Sequence, residues 1–124
     1  MSLLLDTHVI LWWLAGDPAL PQNVRARLED EPGVYFSPVS VWEITIKQAK
    51  GKLSGPAGLA ESVRDSGFTE LPITVEHAIA AGRLPPVHHD PFDRMLVAQA
   101  RWEGLTLVSH DPQIRSYDVD LLPS

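Results

Sequence analysis

The chain has 124 residues, which suits one domain with a hydrophobic core, and 44% of them are hydrophobic, which argues against disorder. Cysteine is absent, which excludes disulfides and zinc–thiolate sites, and no apolar run reads as a membrane span or a signal peptide, so a cytoplasmic location is expected. The formal net charge of −6 argues, taken alone, against nucleic-acid binding, unless the acids gather around cations that reverse the local charge.

The first half of the chain predicts strands and helices in alternation. In chain order these are a buried strand at Ser2–Leu5, helices at Val9–Leu14 and Pro21–Asp30, a strand at Gly33–Phe36 and a helix from Ser37 to about Lys50. Ser37 followed by Pro38 is typical of a helix start, because serine caps free backbone amides and proline fits the first turn.

The second half continues the alternation. It predicts a helix at Leu59–Ser66, a strand at Thr69–Ile73, a helix from Thr74 to about Gly82, a loop at Leu84–Asp90, a helix from Asp90 to about Trp102, a strand at Leu105–Ser109, a short helix from Asp111 and a strand at Val119–Leu122. This order predicts an α/β fold: a single domain over residues 1–124, with a central parallel sheet of four or five strands flanked by helices.

Four acidic residues distant in sequence are expected at one edge of that sheet. Asp6 ends the first strand and Asp111 follows the Leu105–Ser109 strand. Glu43 lies about two turns into the helix after the second strand, and Asp93 lies in the first turn of the helix that Asp90 begins. Ligands of open α/β sheets bind outside the carboxyl ends of the strands, so these four residues form a candidate site.

Carboxylates crowded together repel one another and raise each other's pKa, so such a cluster is unfavourable without a cation. Oxygen ligands suit the hard ions Mg²⁺ and Mn²⁺, which activate water and stabilise charge developing on a phosphodiester. The cluster therefore predicts metal-dependent phosphodiester chemistry, but not which phosphate ester is the substrate.

Each acid also has a purely structural interpretation. Asp6 can bond backbone amides at its strand end, and Glu43 completes an S-x-x-E capping box with Ser40, although Ser37 is the preferred cap. Three aspartates stand at predicted helix starts, where a carboxylate caps the helix or suits its dipole: Asp90, Asp93 and Asp111. A capping residue can still present an oxygen to a metal.

Several neighbouring residues have two interpretations. Lys47, four residues after Glu43, either holds a substrate phosphate or forms a helix ion pair. Arg94 either neutralises the acids or contacts substrate, with a structural salt bridge as the alternative. His88 and His89 are interpreted as surface or orienting groups. The tryptophans are expected in the core or an interface rather than as base-stacking platforms: Trp12, Trp13 and Trp42.

The chain resembles the PIN-domain nucleases, and specifically the VapC-type toxins of bacterial toxin–antitoxin pairs. The likeness lies in four segments, in the right order along nearly the whole chain: LLLDTH at Leu3–His8, SVWEI at Ser40–Ile44 with Lys47 and KGKL at Lys50–Leu53, HDPFDR at His89–Arg94 followed by LVAQA at Leu96–Ala100, and LTLVSHD at Leu105–Asp111.

The resemblance implies a Mg²⁺- or Mn²⁺-dependent endoribonuclease with a parallel sheet. It implies that Asp6, Glu43 and Asp93 are the core catalytic and metal-binding carboxylates and that Asp111 is the fourth, more variable one. It also implies a cognate antitoxin that contacts the first two helices, and a homodimer.

The same resemblance assigns supporting positions. Thr7 and Ser109 match hydroxyl positions that orient carboxylates or water, and Asp90 supports the site from the start of its helix. His110 departs from the pattern, because many relatives have a basic or small polar residue there.

Other functions remain open at this point. The acids alone fit a metal-dependent phosphatase or a DNA nuclease equally well, although the D-x-D pair of haloacid-type phosphatases is missing because position 8 is histidine. A non-catalytic protein- or RNA-binding module is a further alternative, as is a purely structural domain; the first is disfavoured because all four acids are present, and the second leaves their convergence unexplained.

Overall fold

A computed structural model describes residues 2–87 and 89–124. Its strands are β1 Leu3–Leu5, β2 Val34–Phe36, β3 Thr69–Glu70, β4 Thr106–Ser109 and β5 Leu121–Pro123. Its helices are α1 Thr7–Ala15, α2 Gln22–Asp30, α3 Pro38–Ala49, α4 Leu59–Arg64, α5 Val75–Gly82 and α6 Pro91–Glu103, with a short 3₁₀ helix at Pro112–Ser116.

The five strands form one parallel sheet in the order β3-β2-β1-β4-β5, which confirms the predicted fold class. β1 lies at the centre and pairs with β4 in a register that sets Leu5 against Val108. The chain adds strands to one side of β1 and then crosses to the other, so the strand order reverses between β1 and β4. This reversal point is where open α/β sheets bind their ligands.

The core has two halves, one on each face of the sheet. Leu3 and Leu5 pack towards α1, α2 and α4, whereas Leu4 packs towards α5 and α6. All three side chains are fully buried. Burial of each stabilises the fold by about 2 kcal/mol before entropy is counted, so β1 is firmly held and the residue after it is well positioned. Among the described helices, none is long and apolar enough to cross a membrane.

Several element ends differ from the predicted ones by one to three residues, and three of the differences have a clear cause. α1 begins at Thr7 rather than Val9, because the Asp6 carboxylate accepts a hydrogen bond from the His8 amide and caps the helix. β3 stops at Glu70, two residues before Pro72, which has no amide hydrogen to donate to a ladder. β5 begins at Leu121, two residues later than expected, where it comes into register with β4.

His77 links α5 to α6 in a way that the sequence did not indicate. Its side chain is fully buried. Nδ1 accepts from the Thr74 amide at 3.0 Å, while the Thr74 hydroxyl accepts from the His77 amide at 3.2 Å, which closes a capping box. Because Nδ1 is an acceptor, the ring proton is on Nε2, which donates to the Glu103 carboxylate at 2.7 Å.

Replacing His77 with alanine is expected to lower the free energy of unfolding by about 2–4 kcal/mol, because a buried ring and two of its hydrogen bonds are lost together. Urea denaturation measures the change. Val75→Ala is the matched control on the same helix, since Val75 is 71% exposed; its effect is expected to stay below about 0.5 kcal/mol. Equal effects of the two substitutions would show that the His77 contacts do not stabilise the fold.

Candidate active site at the carboxyl edge of the sheet

Asp6 lies where the strand order reverses, directly after β1. Its amide donates to the carbonyl of Val108 on β4 at 2.9 Å, which continues the ladder by one residue. Ser109, the last residue of β4, donates its hydroxyl to Asp6 Oδ2 at 2.5 Å. Both side chains are buried, and the bond joins positions 103 residues apart. Asp6 is therefore held between two strands and a helix start.

The environment of Asp6 disfavours its charge. Burial raises the pKa of the Asp6 carboxyl above its usual 3.8, against the opposing effects of the Ser109 hydrogen bond and of His8, and the nearby Glu43 raises it further. Since the folded protein holds the proton more tightly than the unfolded chain, ionised Asp6 destabilises the fold above its raised pKa. A bound cation would relieve that cost, which is the electrostatic signature expected of a metal ligand.

Glu43 occupies a second buried position, and Thr7 connects it to the Asp6 strand end. Thr7 Oγ1 is 2.7 Å from Glu43 Oε1 and 2.9 Å from Ser40 Oγ. Because a carboxylate only accepts and Thr7 has one hydroxyl proton, Ser40 donates to Thr7 and Thr7 donates to Glu43. The true cap of α3 is Ser37, which accepts from the Val39 amide, as the sequence predicted.

Ser40 is a site residue that sequence reasoning overlooked. It is fully buried and lies one helical turn before Glu43 on α3. The signal was available: residues three apart on a helix share a face, so a serine at this spacing from a buried carboxylate is a candidate partner.

Lys47 provides the positive charge that faces the acids. Its ammonium lies 2.5 Å from Glu43 Oε2 in an i, i+4 ion pair, one of the two interpretations that the sequence left open. The hydrogen bond to Glu43 is the main reason that the pKa of Lys47 is raised above 10.5, with further contributions from the charges of Glu43, Asp90 and Asp93. The acids of α3 and of the start of α6 therefore all contribute negative potential at this one ammonium group.

Three aspartates stand at helix starts, as predicted. Asp90 caps α6 by accepting from the amides of Phe92 and Asp93 at 2.9 and 3.3 Å. Asp93 follows in the first turn and is 8% exposed. Asp111 caps the 3₁₀ helix, and its own amide donates to Ser109 Oγ at 3.1 Å, so it is joined to Asp6 through that hydroxyl.

Arg94 has structural partners. Its guanidinium donates to the backbone carbonyls of Ala81, Leu84 and Pro85 at 2.9 to 3.0 Å, which closes the end of α5 onto α6. This favours a structural role over a contact with substrate. Of the two loop histidines, His89 is exposed, and His88 lies outside the described residues.

The tryptophans are divided between core and surface. Trp12 and Trp13 are both half-buried and pack against the core, and the Trp13 ring lies 5.3 Å from that of Phe68. This agrees with the predicted core or interface positions for the adjacent pair. Trp42 is 60% exposed, with its ring 5.4 Å from that of Phe92.

The donor chemistry of the site fits a hard divalent cation. Its groups are carboxylates and hydroxyls, with Asp6 and Glu43 buried and repelling each other. Within residues 2–87 and 89–124, no three acidic or histidine side chains already form a closed ligand set. Lys47 holds Oε2 of Glu43, so a cation that uses this oxygen has to displace the ammonium group.

Comparison with known proteins agrees with this fold. The PIN domain family profile matches residues 3–120. Ribonuclease VapC22 of Mycobacterium tuberculosis is 32% identical over 123 residues, which cover 94% of this chain and 92% of the relative.

Solved structures with the same fold cover 99% of the chain. The DNA-bound VapBC of Salmonella typhimurium superposes with a TM-score of 0.75 at 17% identity, over 98% of its chain. VapC20 of Mycobacterium tuberculosis, described as a sarcin–ricin loop cleaving toxin, gives 0.73 at 18% identity over 100% of its chain. The resemblance inferred from the sequence is confirmed, and the chain belongs to the PIN domain family.

Proposed function

We propose that this chain is an endoribonuclease toxin that hydrolyses RNA phosphodiester bonds at a metal site built on Asp6, Glu43, Asp93 and Asp111, with Mg²⁺ or Mn²⁺ as cofactor. One observation carries the proposal: buried carboxylates from β1 and α3, each braced by a hydroxyl, lie at the reversal point of the sheet. The relative at 32% identity is named a ribonuclease, which supports RNA as the substrate class.

Asp6 and Asp93, helped by Asp111, are proposed to hold the cation, and Glu43 to position water or hold a second cation. When bound, the cation supplies Lewis-acid stabilisation of the phosphate and activation of water. Fixed carboxylates matter because catalytic groups must not reorganise as charge develops.

The surrounding residues are proposed to keep those carboxylates in position. Ser109 fixes Asp6, and Thr7 with Ser40 fixes Glu43. Asp90 fixes the first turn of α6 and hence Asp93. Lys47 neutralises Glu43 until the cation and the phosphate arrive.

Removal of divalent metal is the first test. The purified chain is incubated with labelled single-stranded RNA in Mg²⁺ or Mn²⁺, in excess EDTA, and in EDTA followed by excess Mg²⁺. Cleavage is expected with either cation, to fall at least about a hundredfold in EDTA and to return with Mg²⁺, because loss of one preorganised electrostatic group costs that much.

DNA of the same sequence is the substrate control in this assay. Cleavage that persists in EDTA would contradict the metal site. Equal cleavage of RNA and DNA would favour the DNA nuclease alternative, and the absence of any cleavage would favour a binding module.

The partner is proposed to be a cognate antitoxin protein, since VapBC assemblies are among the structures that share this fold. Exposed parts of α1 and α2 are its proposed contact. We also propose that the chain acts in the cytoplasm as a homodimer; exposed apolar side chains such as Trp42 and Ile79 are compatible with self-association. Copurification with the product of the neighbouring reading frame, followed by light scattering of the complex, tests both partners.

A further inference from the structure

Three aromatic rings stand together beside the carboxylates, and the catalytic proposal does not use them. The Trp12 ring lies 5.0 Å from that of His110 and 6.1 Å from that of His8, and the two imidazoles are 6.4 Å apart. His8 and His110 are exposed, whereas Trp12 is half-buried against the core. We call these three residues the ring cluster.

Both histidines of the ring cluster lie within two residues of groups that form the proposed site. His8 is two residues after Asp6, and its amide donates to Asp6 Oδ1 at 3.3 Å. His110 lies between Ser109, which donates to Asp6, and Asp111, whose amide donates to Ser109. Both imidazoles therefore flank the strand ends that carry Asp6, so a ligand held by them lies next to whatever the carboxylates bind.

Unpaired bases of RNA are recognised mainly by stacking on aromatic side chains, histidine included. Attraction to the phosphate backbone, the usual source of affinity, is weak for a chain of net charge −6. Base stacking adds an attraction that does not depend on the net charge of the protein.

We infer that His8 and His110 form a subsite for an unpaired nucleobase adjacent to the scissile phosphate. Trp12 acts as a positioning residue, because its ring packs against the core and contacts both imidazoles. This inference rests on the proposed ribonuclease function and names the residues of this chain that contact the base beside the cleavage point.

The test compares binding of two ligands of equal length and charge. A labelled single-stranded RNA and an abasic oligomer of the same length are titrated in Mg²⁺ against the Asp6→Asn protein, which binds without cutting. The RNA is expected to bind about tenfold more tightly than the abasic oligomer. In this background, His110→Ala is expected to bring that ratio close to one, and His110→Phe to keep it, since phenylalanine retains a ring without a charge.

Two further substitutions and a control complete the set. His110→Lys is expected to bring the ratio close to one, because lysine supplies a positive charge but no ring. Trp12→Leu is expected to remove the preference for RNA over the abasic oligomer. The melting temperature should change little, since leucine still fills the core position. Trp102→Ala removes an exposed tryptophan at the far end of α6 and should leave the ratio unchanged.

The inference would be overturned if the Asp6→Asn protein bound both ligands equally. It would also be overturned if His110→Ala or His110→Lys still bound the RNA about tenfold more tightly than the abasic oligomer. Loss of antitoxin binding in His110→Ala with an unchanged ratio would assign the rings to the protein partner instead. These results are separate from the proposed function, which is judged by whether the unsubstituted chain cuts RNA and the Asp6→Asn chain does not.

Discussion

Replacing Asp6 with asparagine is expected to reduce metal-dependent RNA cleavage about a thousandfold, because the proposed metal ligand, worth several kcal/mol in the transition state, is removed. The side chain keeps its size, and an amide oxygen still accepts one of the hydrogen bonds that Ser109 and His8 donate to the carboxylate. Single-turnover cleavage of a labelled RNA in saturating Mg²⁺ measures the loss. Asp30→Asn, at an exposed position that ends α2, is the matched control and should cut RNA at the normal rate.

The stability of the Asp6→Asn protein is its internal control. Because burial raises the pKa of Asp6, the ionised carboxylate destabilises the metal-free fold, and asparagine carries no such charge. In EDTA near neutral pH, the variant is expected to unfold at a temperature equal to or above that of the parent. The advantage should shrink as the pH falls through the raised pKa and should vanish below 3.8, where the parent's carboxyl is protonated in both states. The role given to Asp6 would be contradicted if the variant unfolded at a lower temperature than the parent in EDTA, or if it cut RNA at the normal rate.

Replacing Lys47 with methionine is expected to lower the free energy of unfolding in EDTA by about 1–3 kcal/mol, because the buried carboxylate of Glu43 is left without its cation. The lower part of that range is favoured, since the Lys47 side chain is 37% exposed and water screens the pair, whereas Glu43 is 4% exposed. Mg²⁺ should recover much of the loss, because the metal and the ammonium compete for the same carboxylate. The melting temperature is therefore expected to rise more with Mg²⁺ in this variant than in the parent.

Lys52→Met provides the comparison for this second prediction. Lys52 is exposed in the turn after α3, so its removal changes the charge of the chain equally without touching Glu43. It should have no effect on stability in EDTA and none on the response to Mg²⁺. If Mg²⁺ shifts the melting temperature of Lys47→Met and of the parent by the same amount, Glu43 is not part of the cation site.

The sequence predicted the sheet and the place of the carboxylates because both follow from short-range patterns. Buried runs mark strands, and a parallel sheet brings their carboxyl ends to one edge, so Asp6 and Ser109 were expected near each other despite their separation along the chain. Helix starts such as Asp90–Pro91 were visible because capping depends on adjacent residues.

Side-chain partners were harder to predict, because they depend on which distant segments meet. The pattern of a lysine four residues after Glu43 fits an ion pair and a phosphate contact equally well. Arg94 directly follows Asp93 in sequence, yet its guanidinium donates hydrogen bonds to backbone carbonyls at the end of α5. His77 gave no signal at all, since its partner Glu103 lies 26 residues further along the chain.

The hydrogen bond between Asp6 and Ser109 has a consequence for the order in which a ribosome makes this chain. Asp6, Thr7 and Glu43 emerge early, but α6 and β4 are synthesised in the last third, and Asp6 has no strand on its β4 side until position 109 is made. An incomplete nascent chain therefore lacks Asp93, Ser109 and Asp111 together. If the chain has the proposed activity, that activity arises only near the end of translation, after the segments that form α1 and α2, the proposed antitoxin contact, have been made.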